Sequence, residues 1–135
     1  MQEKTHSLPS FSTYINKVFH FRSLLESVSD SRVDPDISPQ SVFLALFHAF
    51  LFRLPSFQQL QADLTHSYLT QWIGAERPFR DDTLRYSLCG FDLEPLEQML
   101  VEVNRRLKRG KALDPGRLQG RIVAAVDGVE VLSSY

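Results

Sequence analysis

At 135 residues the chain has the size of one small domain or part of a larger one, and its 43% apolar and 23% charged residues exclude wholesale disorder. Fifteen Lys and Arg against 16 Asp and Glu leave a formal net charge of −1, which excludes a uniformly basic, histone-like chain but not a local basic patch. Cys89 is the only cysteine, so an intrachain disulfide and a cysteine-based zinc cluster are both excluded, and a reducing, cytoplasmic setting is expected.

The first residues show no apolar core of a signal peptide. The longest apolar run, residues 42–52, contains His48 and falls well short of the ~20 residues a membrane span requires, so no membrane partner is expected. Residues 1–10 are polar, carry Pro9 and are expected to form a loose N-terminal arm. A helical region of five or six helices is expected over 11–110. It begins with Tyr14, Ile15, Val18, Phe19, Phe21, Leu24, Leu25 and Val28 at helical spacing, as one helix with a broad buried face. Ser, Asp and two prolines over 29–39 then form a connection.

Ser38 followed by Pro39 is a helix start, serine as N-cap and proline at the first helical position. The helix over 39–54 is apolar on nearly every side and is expected to be central. Pro55 interrupts it, Ser56 caps a helix carrying Phe57, Leu60 and Leu64, and a shorter piece over 68–73 stops at Gly74. Asp81 and Asp82 read as caps of a short helix over 83–88 closed by Gly90. Asp92 caps the clearest helix in the chain, with the stripe Leu96, Met99, Leu100, Val103 and Leu107 and a stop at Gly110. The period then changes. Residues 122–126 form a continuous apolar run between Gly120 and Asp127-Gly128, which predicts a buried strand, with a second strand over 129–135 after a tight Asp-Gly turn.

Asp81-Asp82-Thr83-Leu84-Arg85, then Leu93-Glu94-Pro95, an amphipathic helix, a basic linker over 111–120, and Val123-Ala124-Ala125-Val126-Asp127-Gly128 stand in that order. Over roughly 38–135 this arrangement resembles bacterial insertion-sequence transposases of the DDE class. The resemblance implies a mainly α chain in which the helical region leads into the first one or two strands of an RNase H-like α/β domain, starting at 121–135. It also implies DNA at the element ends as partner, Mg²⁺ as cofactor, and Asp127 as the first catalytic acid and metal ligand. Two-metal phosphoryl transfer needs carboxylates that bridge hard cations, which take oxygen ligands. The alternative for Asp127 is a plain turn aspartate of a β-hairpin. The family's second Asp and its Glu have no counterpart after Asp127. A truncated, catalytically incomplete transposase is therefore the expectation, self-associating through the exposed edge of residues 122–126, with no small-molecule substrate.

Seven of the seventeen residues over 105–121 are basic (Arg105, Arg106, Lys108, Arg109, Lys111, Arg117 and Arg121) against the single acid Asp114. They read either as phosphate-backbone contacts or, for the first four, as cations that meet a helix C-terminal dipole. A helix-turn-helix is a further candidate, with the break at Leu54-Pro55-Ser56 and Gln58, Gln59 and Gln61 facing outward. His48 and Trp72 read as core packing and Cys89 as a small buried hydrophobe. A small helical protein–protein interaction module without a nucleic-acid role is the competing function.

Overall fold

A computed structural model describes residues 3–122, and the side chains of residues 8–121. Among the described residues the protein is mainly helical, with seven α-helices and one short hairpin. They run α1 (Glu3–Phe19), α2 (Phe21–Leu25), α3 (Pro39–Leu51), α4 (Phe57–Asp63), α5 (Ser67–Ile73), α6 (Asp81–Cys89) and α7 (Leu93–Arg109). The hairpin pairs β1 (Arg117–Leu118) with β2 (Arg121–Ile122) in antiparallel register. Among the described residues no helix is long and apolar enough to cross a membrane.

The N-terminal segment is helix rather than a loose arm, because Leu8 is 3% exposed and holds it to the body of the protein. Pro9 lies inside α1, where its missing N–H forfeits one helical hydrogen bond, and Thr13 Oγ1 donates to its carbonyl at 3.0 Å. The single helix expected beyond residue 11 is broken at His20, whose φ of 51° is left-handed. Asn16 stabilises the break by accepting the Arg22 N–H on its side-chain oxygen at 3.1 Å.

α3 is central, as its all-round apolar character implies. Val42, Ala45 and Leu46 join one cluster with Leu60, Leu64, Leu69, Ile73, Phe79 and Leu84 from α4 to α6 and their connections. Phe43 and Phe47 face a second cluster built on Ile15, Phe21, Leu25, Val28 and Met99, and Leu44 touches both. The Phe47 ring lies 5.2 Å from Phe21 and 6.3 Å from Phe11, distances at which aromatic pairs attract. Ser38 caps the helix through the Ser41 N–H at 3.1 Å, and Ser56 caps α4 through the Gln59 N–H at 3.2 Å.

Three helices end in the same way. The left-handed residues Arg53, Gly74 and Lys111 follow α3, α5 and α7, with φ of 52°, 72° and 56°. The next residue's N–H returns to a carbonyl five back: Leu54 to Ala49 at 2.9 Å, Ala75 to Thr70 at 2.9 Å, and Ala112 to Leu107 at 3.0 Å. This is the Schellman closure, which satisfies helix carbonyls that would otherwise lack partners. α3 therefore stops at Leu51, three residues short of the expected end. The glycine expected to close α7, Gly110, precedes the left-handed position, which Lys111 occupies.

Asp81 and Asp82 do not cap α6. Arg80 is the N-cap and makes no side-chain bond, while both aspartates sit in the first turn, where negative charge meets the positive end of the helix dipole. Cys89 is exposed rather than buried, since α6 presents Leu84 and Ser87, three apart, as its inward face.

Ser87 is wholly buried and donates its hydroxyl to Asp30 Oδ2. The Asp30 side chain is 1% exposed and also accepts the Arg32 Nε–H at 2.7 Å and the Arg32 backbone N–H at 3.1 Å. Arg32 Nη2 goes on to the Ile37 carbonyl at 2.8 Å. Burial alone would raise the Asp30 pKa, but the hydrogen bonds from Ser87 and Arg32 together with the Arg32 charge outweigh it and hold the carboxyl below its ordinary value of 3.8. This polar knot pins the 29–38 connection to α6. Backbone bonds from Ser31 N–H to the Gly90 carbonyl (2.8 Å) and from Asp92 N–H to the Ser29 carbonyl (3.0 Å) extend it to the start of α7. A Cβ on Gly90 would lie 2.2 Å from Ser31 Oγ and 3.2 Å from its backbone nitrogen, so this approach of two backbones requires glycine.

The expected hairpin turn at Asp127-Gly128 and the strand over 122–126 lie outside the described residues, apart from Ile122 at the end of β2. The hairpin that is described turns earlier, through Gln119 and Gly120 with φ of 50° and 77°. Positive φ at both central residues is the turn geometry that matches strand twist.

Candidate functional site

The basic residues of 105–121 fall on one contiguous piece of the fold, from the last turn of α7 through the 3-10 turn Asp114–Gly116 to the hairpin. They are not electrostatically equivalent. Glu102 accepts two hydrogen bonds from Arg105, at 2.7 and 2.8 Å, and one from Arg106 Nε at 2.6 Å. Those bonds, Arg105 first and then Arg106, hold the Glu102 carboxyl at about 2, so it is ionised through the neutral range and offsets part of their charge. Arg106 also reaches the Val18 carbonyl at 3.4 Å, which ties the end of α7 to α1. Arg117 pairs with Asp114 at 3.0 Å.

Lys108, Arg109, Lys111 and Arg121 are exposed and carry no ion pair among the described residues. Lys108 and Arg109 stand at the C-terminal end of α7, where the dipole is already negative, and Lys111 is held in its left-handed conformation directly after it. Four cations without an ion pair among the described residues, on one segment of a neutral chain, can hold anionic oxygens without first breaking those contacts.

The helix-turn-helix candidate is altered. α4 has only seven residues, Gln61 is half-buried and accepts the Asp81 N–H on its side-chain oxygen at 3.4 Å, and Gln59 donates to Asp63 at 3.0 Å. Gln58 alone of the three remains exposed without a side-chain bond among the described residues. The reason is position: α4 and α6 pack together, so Gln61 meets the start of α6, while Gln59 is engaged within its own helix.

His48 is 3% exposed, with Nε2 3.4 Å from Asp63 Oδ2 and its ring 4.7 Å from Phe52, which is the expected core role. Trp72 packs against the α3–α6 cluster, also as expected. Asp127 lies outside the described residues. Among the described residues no three His, Cys, Asp or Glu side chains come together in a group that could hold a metal ion.

Two features went unread in the sequence. One is the Asp30–Arg32–Ser87 knot, whose members are separated by up to 57 positions and share no periodic pattern. The other is an open groove of about 530 Å³ between the 32–37 loop and the start of α6, where Arg32, Arg77 and Arg80 alternate with Asp36 and Asp82. Arg77 pairs with Asp36 across it, so its charge is largely balanced. Comparison with protein-family models, with curated proteins and with solved structures finds no match for the chain.

Proposed function

We propose that this chain is the DNA-associated helical region of a DDE-class transposase, and that its basic segment holds the phosphate backbone at the element ends. The observation that carries the reading is the set of four exposed cations, Lys108, Arg109, Lys111 and Arg121, left without acidic partners among the described residues. The ordered motifs shared with that family support the assignment. In a complete enzyme of that class the reaction would be Mg²⁺-dependent cleavage and transfer of DNA strands, with Asp127 as the first acid.

Backbone recognition makes a quantitative demand. Four phosphate contacts give a slope of log K against log salt of about −3.6, so affinity for duplex DNA should fall about a hundredfold between about 50 and 200 mM salt. Fluorescence anisotropy on a labelled duplex measures this directly. Lys108→Ala with Arg109→Ala should reduce the slope by about 1.8. Binding that is undetectable at low salt, or that ignores salt, sinks the DNA role.

The exposed apolar side of α7 favours a second reading, in which the chain acts through protein contacts.

A further inference from the structure

We draw no further inference here: the strongest candidate, the open groove of about 530 Å³ between the 32–37 loop and the start of α6, pairs Arg77 with Asp36 and Arg32 with Asp30, and nothing in the structure shows what covers it.

Discussion

The short helices α4, α5 and α6 have seven, seven and nine residues, and each seats one inward leucine completely: Leu60, Leu69 and Leu84 are all 0% exposed. The long helix α7 has 17 residues and the most regular apolar stripe in the sequence, yet buries Met99 alone. Periodicity therefore measures how well a helix separates its faces, not how much protein covers them. Helices of two turns are unstable in isolation and exist here because tertiary contacts hold them. α7 supports itself with the Asp92 cap on the Glu94 N–H at 3.2 Å, the Glu102 bonds to Arg105 and Arg106, and a Schellman closure. A helix that needs less packing can leave a face for other work.

The difference can be broken most directly by truncating one leucine from each region. Leu84→Ala empties a fully buried site and should cost about 2–5 kcal/mol in denaturant unfolding, whereas Leu100→Ala should stay within about 0.5 kcal/mol. Equal costs would mean that α7 is as integral to the core as α6, and that its exposed strip is not free.

A smaller effect sharpens the same division through charge. Asp30→Asn keeps the shape of the buried knot but leaves Arg32 facing a neutral amide, and should cost about 1–3 kcal/mol. Acid should show the same interaction without mutation. Because the folded carboxyl titrates below its ordinary 3.8, its contribution is complete above that value and drains away as pH falls through the lower folded value. Stability of the wild-type chain should thus fall below about pH 4, and Asp30→Asn should flatten that part of the profile. An unchanged acid limb in Asp30→Asn would remove the knot as the reason that α6 stays docked.

Much of the architecture was legible because it rests on local rules. Ser38-Pro39, Ser56 and Asp92 start helices through their own side chains, and the all-round apolar run of α3 announced a helix with neighbours on both sides. The errors come from features set at long range or by backbone conformation. Leu8 fixes the segment around Pro9 by burial beside His48, Phe52 and Tyr68, which no local pattern carries. Asp30 and Ser87 meet only in three dimensions. Two of the three Schellman closures place Arg53 and Lys111 where glycine signals a helix end, so α3 read too long, while α7 stops at Gly110 as expected with the left-handed position one residue later. For the candidate site, the cations were legible as a cluster, but which of them are free was not. That depends on Glu102 and Asp114, whose pairing follows from helix and turn geometry.

Those two left-handed cations permit the finest discrimination. Placing an L residue at left-handed φ costs about 1–2 kcal/mol, while glycine there costs about 0.5–1 kcal/mol of extra chain entropy on folding. Lys111→Gly and Arg53→Gly should therefore each stabilise the chain by up to about 1 kcal/mol, since both positions have the same closure and similar φ. Their effects on DNA should differ. Lys111 lies within the proposed phosphate-binding segment, so Lys111→Gly should lower the salt slope by about 0.9 while raising stability. Arg53 lies at the end of α3, outside that segment, and Arg53→Gly should raise stability and leave the slope unchanged. A pair of variants matched in stability gain and separated in salt dependence distinguishes a cation retained for binding from one that is merely tolerated, and matched slopes would make Lys111 no different from Arg53.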